Sequence, residues 1–233
     1  MASSMPSSAV PVQEDTELTI NVVSDVVCPW CFIGKRRLEA AIELYRQRFP
    51  GRPEPVVTWW PFQLNPDMPA EGVDRAAHMA RKFGKGQLEQ AHLRMVGIGN
   101  DVGIAFNFEA AKRQPNTLAA HSLIELAGGH GLQDEMAEVL FQAFFADGAD
   151  LTSNHVLTDL AVQAGLPGET VEVALANASM REHIGAKDRQ ARELGVTGVP
   201  FFIFNNKVAV SGAHEPESLL GAMIQAQQEP AAA

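Results

Sequence analysis

Cys28-Pro29-Trp30-Cys31 stands where a β-branched segment gives way to an amphipathic helix, and it holds the only two cysteines among 233 residues. Upstream, Leu18, Ile20 and Val22 alternate with Thr19, Asn21 and Val23 at the two-residue period of a strand. Downstream, Leu38, Ala41, Ile42, Tyr45 and Phe49 form one helical stripe that Pro50-Gly51 ends. Pro29 takes the first helical position, where a missing N–H is tolerated. Cys28 therefore falls at a helix N-terminus, beside unpaired backbone N–H groups and the positive end of the helix dipole.

The thiolate is the reactive form of cysteine. A helix N-terminus within Cys-x-x-Cys draws a thiol pKa down from about 8.5, to roughly 3.5–7 in oxidoreductases. The pattern assigns Cys28 as the attacking sulfur at the exposed end of the turn. Cys31, one turn further in and more shielded, becomes the sulfur that resolves a mixed disulfide. Three other readings compete. A structural disulfide gains little from so short a loop. A zinc site needs two more ligands, yet no other cysteine exists and the nearest histidine, His78, is far off in sequence. Two inert buried cysteines are the third.

Composition narrows the setting. With 46% hydrophobic residues the chain builds a sizeable core, and its length suits one large domain or one and a half. A formal net charge of −10 argues against nucleic acid or an anionic membrane as the main partner. No apolar run approaches the ~20 residues of a membrane span. Met1 to Glu17 is rich in Ser, Pro, Ala and acid, with no Lys, Arg or apolar core, so residues 1–16 read as a disordered tail rather than a targeting signal. The expected compartment is the cytoplasm, where an isolated Cys-x-x-Cys is more often catalytic than structural.

Beyond the first helix, Val56 to Phe62 reads as a second strand. A helical block follows. Asp74 to about Met95 is polar and broken at Gly84-Lys85-Gly86, and Asn116 reads as the N-cap of a helix that stops at Gly128-Gly129. Met136, Val139, Leu140, Ala143 and Phe144 make the next apolar stripe. Three more helices follow, to Gly165, to Asn177 and to Leu194. Strands return at Phe201 to Phe204 and Lys207 to Ser211 around an Asn205-Asn206 hairpin turn, before a last helix from Pro216 to about Gln227. The order is βαβ, a helical block, then ββα. This is an α/β thioredoxin-like fold in two pieces, residues 17–66 and 195–228, with residues 67–194 as a large all-helical insertion domain.

Cys28-Pro29-Trp30-Cys31 after Ser24-Asp25, the helical insertion, and Gly198-Val199-Pro200-Phe201-Phe202 together resemble the DsbA-like thioredoxin superfamily. The likeness is greatest to its FrnE-type branch of dithiol–disulfide oxidoreductases. Phe62-Gln63-Leu64-Asn65-Pro66, Asn116-Thr117-Leu118-Ala119-Ala120-His121 and Val210-Ser211-Gly212-Ala213 extend the match over about Leu18 to Gln227. The resemblance implies a cis peptide bond before Pro200, lying against the dithiol and turning the Val199 backbone towards Cys28. An extended substrate would hydrogen-bond there as an added strand. On this reading Cys28, Cys31 and Pro200 form the catalytic set, and Pro29, Trp30, Val199 and His214 meet the substrate. Asp25 is a candidate proton acceptor for Cys31, and Lys35 a candidate thiolate-stabilising cation. His121 reads as a packed or exposed helix histidine.

The implied activity is thiol–disulfide exchange with proteins or small disulfides. No metal or organic cofactor is called for, only a redox partner such as glutathione. Two departures matter. Trp30 stands where DsbA itself has His, so the extreme thiol acidity of DsbA is not expected, and a second cysteine pair found in some FrnE-type proteins is absent. Two alternatives remain: a glutathione-dependent kappa-class transferase or 2-hydroxychromene-2-carboxylate isomerase, which shares the fold, and a chaperone-like binding module without turnover. The direction of electron flow and the oligomeric state, a homodimer included, stay open.

Overall fold

The structure, a computed structural model, describes residues 17–228; the expected tail over residues 1–16 lies outside them. β1 (Thr19–Ser24) and β2 (Val56–Pro61) pair in parallel, from Thr19↔Val56 to Ser24↔Pro61. A parallel pair cannot be closed by a tight turn. Here α1 (Pro29–Arg48) makes the crossover.

The insertion is not wholly helical. β3 (Val73–Asp74) pairs antiparallel with β4 (Arg113–Gln114), tying off the segment that carries α2 (Arg75–Phe83) and α3 (Lys85–Asp101). Two residues are too few to show a strand period, so the ribbon is silent in the sequence. The break at Gly84 is where the spacing puts it, but α3 continues past Met95 through Gly97 and Gly99. A Cβ on Gly99 would lie 2.5 Å from the Phe106 ring, so the glycine makes room for packing rather than ending the helix. α4 (Leu118–Gly128), α5 (Gln133–Gln142) with one π turn beyond it, α6 (Asn154–Gln163), α7 (Gly168–Ala176) and α8 (Ala178–Glu193) complete the block. Thr117, not Asn116, holds the cap position of α4; the Asn116 side chain accepts from Leu118 N at 3.0 Å.

β5 (Phe201–Phe204) and β6 (Val208–Ser211) form the closing hairpin, and α9 (Pro216–Gln228) follows. Asn205 and Asn206 have φ of 49° and 53°, the left-handed pair that a two-residue hairpin turn requires. The sheet order is β2-β1-β5-β6, with β5 antiparallel to both neighbours.

β1 is central and buried on both faces. Ile20 and Val22 pack into the main core with Phe32, Leu38, Tyr45 and Met223, while Val23 meets Phe62, Ala191 and Val196 on the other side. The main core runs without a break from these strands into the insertion. Phe32, the residue after Cys31, stacks on Phe141 of α5 at 5.1 Å and meets Phe106 edge-on at 6.1 Å.

Candidate active site

β1 ends at Ser24, and a turn closed by Cys28 N donating to Asp25 O at 3.0 Å leads into α1. Cys28 is the N-cap of α1, with φ −96° and ψ 111°, and Pro29 follows in the first turn. Cys31 N donates to Cys28 O at 3.0 Å, so the second cysteine lies one turn inside. No acidic residue occupies the first turn of α1 to offset the positive helix end.

Both sulfurs belong to free thiols, and both residues are buried, Cys28 at 5% exposure and Cys31 at 1%. The contrast in exposure expected from one helical turn is therefore small. Their surroundings differ more. The Cys31 thiol is pushed well above its ordinary pKa, first by burial and then by the hydrogen bond and charge of Cys28; the Ser24 hydroxyl and an Asp25 backbone hydrogen bond pull weakly the other way. Cys31 thus keeps its proton until a reaction takes it.

The Val199–Pro200 peptide is cis, and the Cys28 thiol donates to Val199 O at 3.6 Å. Pro200 is buried, while Val199, Pro29 and Trp30 are half-buried around the dithiol end of α1. Gly34 makes the approach possible: a Cβ there would meet Pro200 Cγ at 2.9 Å and Phe202 Cζ at 3.2 Å. The sequence carries a sign of this role, a lone glycine inside a helical stripe.

Asp25 is fully buried, and its Oδ2 accepts from Leu64 N at 2.8 Å. The two outlying motifs of the sequence meet beside it. Gln63 N donates to Asp188 Oδ1 at 2.7 Å, Gln63 Nε2 to Asn116 Oδ1 at 3.4 Å, and Asn116 Nδ2 to Met68 O at 2.7 Å. His121, from the same motif as Asn116, brings its Nε2 to 3.4 Å from Asp25 Oδ1. Composition and spacing leave these residues without roles, because each is defined by a partner distant in sequence.

Lys35 and His214 are placed differently from the substrate and thiolate roles that the motif suggests. The His214 ring is exposed and donates from Nε2 to Ser211 O at 3.0 Å, back onto its own hairpin end. The Lys35 ammonium, its side chain 3% exposed, is taken up by Glu39, by Asp134 at 2.9 Å and by Glu138 at 3.2 Å. Burial works against its charge, yet Asp134 and then Glu39 carry its pKa above the ordinary lysine value. A groove of about 730 Å³ beside it holds Lys35, Asp134 and the β2 backbone, but neither cysteine. This clamp ties α1 to α5.

A lysine pKa raised by folding adds stability that is present below about pH 10 and fades as pH rises through the folded value. Because its carboxylate partners are 30–50% exposed and re-solvate on losing it, Lys35→Met is expected to cost only about 1–3 kcal/mol in urea unfolding. Its Cys28 should react with disulfides at the parent rate; a slowed reaction would return Lys35 to the site.

Among the described residues no group of three or more His, Cys, Asp or Glu side chains is arranged to hold a metal ion, and no helix is long and apolar enough to cross a membrane.

The arrangement has known counterparts. Residues 19–223 match the DSBA-like thioredoxin domain. The chain is 29% identical over 199 residues to YwbO of Bacillus subtilis, covering 83% of this chain and 90% of that protein. A probable DsbA oxidoreductase from Streptomyces coelicolor superposes with a TM-score of 0.83 at 29% identity, over 93% of each chain. The cytosolic disulfide reductase DsbM from Pseudomonas aeruginosa, solved with GSH, shares the fold at a TM-score of 0.59 and 18% identity, over 90% of this chain and 95% of that one. With a dithiol at the N-terminus of α1 and a cis-proline turn against it, matched over nearly its whole length, the chain belongs to the DSBA-like thioredoxin domain family.

Proposed function

We propose that the protein is a thiol–disulfide oxidoreductase acting on protein or small-molecule disulfides through Cys28 and Cys31. The observation that carries this reading is the Cys28 sulfur at the cap of α1, 3.6 Å from Val199 O, with Cys31 buried one turn behind. Cys28 thiolate attacks a substrate disulfide R–S–S–R′, forming Cys28–S–S–R and releasing R′–S⁻. Cys31 then attacks Cys28 Sγ, the Cys28–Cys31 bond forms, R–S⁻ leaves, and the Cys31 proton passes to the buried pocket around Asp25. Run backwards, the same steps oxidise a dithiol substrate. The Val199 backbone beside Cys28 receives the substrate as an added strand.

Glutathione is a small thiol that fits this scheme, and a neighbour in fold, DsbM, was solved with it. A working compartment in the cytoplasm is supported by the cysteine usage alone. In the isomerase alternative glutathione supplies the thiol and a serine typically stands at the Cys28 position; the pair of thiols here favours exchange.

The test is stoichiometric. Reduced protein mixed with 5,5′-dithiobis(2-nitrobenzoate) should release two nitrothiobenzoate ions per chain, in two phases, and end as the Cys28–Cys31 disulfide. Cys31→Ser should release one and stop. A parent protein that releases one ion, or that ends with both thiols separately blocked, would refute the dithiol mechanism.

A further inference from the structure

The mechanism asks a buried thiol to lose a proton where water is excluded. Cys31 is 1% exposed, and burial and the neighbouring Cys28 hold its thiol protonated. The Asp25 side chain has a buried neighbour that the exchange chemistry has not yet used. Asp25 is 0% exposed and His121 3%, and Asp25 Oδ1 and His121 Nε2 face each other at 3.4 Å. Neither atom makes a hydrogen bond to any group, although both are buried. Buried polar atoms are rarely left so, because an unmade hydrogen bond costs about 1–3 kcal/mol. A proton delivered to either atom would give the pair the hydrogen bond it lacks.

His121 also lines a small crevice of about 10 Å³, the size of one water, together with Ser24, Trp60 and Glu125. The charged and titratable groups around it are few. Neither cysteine is among its lining residues. Glu125 lies one turn on from His121 in α4. From α8, Lys187 at 2.7 Å and His183 at 3.3 Å both hold Glu125, while Asp188 is taken by Arg192 at 3.0 Å.

We propose that His121 is the partner through which Asp25 receives and gives up the proton of Cys31, with the Ser24–His121–Glu125 crevice as the route to solvent. The inference rests on the exchange reading above. During resolution the Cys31 S–H bond breaks as the Cys31–Cys28 S–S bond forms and the Cys28–substrate bond breaks. The electron pair leaves with the substrate sulfur. The proton passes to the buried Asp25–His121 pair, which gains one positive charge, and then leaves by the crevice that Ser24 and His121 line. In the reverse direction the same pair returns a proton to Cys31. His121 is thus a positioning and proton-holding residue, acting on the sulfur through Asp25.

The two phases of nitrothiobenzoate release separate attack by Cys28 from resolution by Cys31. His121→Gln keeps an amide of similar reach but removes the titrating ring. It should leave the first phase unchanged and slow the second about tenfold near neutral pH, a modest share of general acid–base catalysis. The deficit should narrow as pH rises towards the raised pKa of the Cys31 thiol, where hydroxide takes over removal of the proton. Asp25→Asn should show the same deficit, and the double variant should be no slower than the slower single one, since the two residues act as a unit. A second phase at the parent rate, a deficit equal at every pH, or additive effects of the two substitutions would each overturn the proposal. If His121→Gln and a companion His121→Asn both fail to fold, the parent decides: a solvent deuterium isotope effect on the second phase alone supports the relay, and none overturns it. A parent that releases only one ion per chain would refute the exchange mechanism itself, and with it the relay, which separates that failure from a failure confined to His121.

Discussion

Cys31→Ser protein, reduced and then mixed with an oxidised cell extract, should accumulate as mixed disulfides visible as a ladder on non-reducing electrophoresis. Cys28→Ser should stay almost free of adducts. The asymmetry comes from the two environments. Cys28 caps α1, its sulfur lies beside Val199 O at the turn before Pro200, and no acid in the first turn opposes a negative charge there. Cys31 is sealed at 1% exposure, with its thiol held protonated by burial and by Cys28. With Cys31 gone, a bond formed at Cys28 has no internal sulfur to break it. With Cys28 gone, the remaining thiol neither ionises readily nor reaches a substrate. Disulfide turnover should fall by roughly 10³-fold or more in either variant, the scale of removing a nucleophile that acts as part of a unit. Equal ladders on both variants would reverse or dissolve the roles. Adducts containing only glutathione would favour the glutathione-dependent alternative, and retained client binding by Cys28→Ser without turnover would favour the chaperone-like one.

What the sequence reveals, and what it hides, follows the range of the interactions. The strand into Cys28, the helix out of it and the Asn205-Asn206 turn are local, written in alternation, Pro29 and the tolerance of asparagine for positive φ. The βαβ…ββα order is the sum of such local signals. Lys35 is different. One turn from the dithiol in sequence, it is captured by Asp134, 99 residues away, and the rotation of a helix about its axis decides which neighbour wins. His121 is hidden for the same reason, since a histidine on an apolar helix face says nothing about Asp25 until tertiary packing brings β1 and α4 together. The proposed division into a discontinuous thioredoxin-like part and an insertion is drawn from chain order. It is not a division of the core, because apolar periodicity reports that a face is buried and never against what.

That shared core makes Phe32→Ala the most damaging single truncation near the site. Phe32 is 0% exposed and follows Cys31 directly. Its ring lies 5.1 Å from Phe141 at 6° and 6.3 Å from Phe145, both from the insertion, and meets Phe106 edge-on. Arg36 closes over it, with its guanidinium 5.1 Å from the ring. Removing a ring so enclosed forfeits its transfer free energy and leaves a cavity that a packed aromatic cluster fills poorly. The expected cost is about 3–5 kcal/mol in urea unfolding. Leu93→Ala, at a site 69% exposed, is the control and should stay within about 0.5 kcal/mol. Since Phe32 belongs to α1 and its partners to the insertion, the loss should appear as one earlier transition with unchanged slope. Two resolved transitions, with only one of them moved, would mean that the insertion folds on a core of its own and that Phe32 merely touches it.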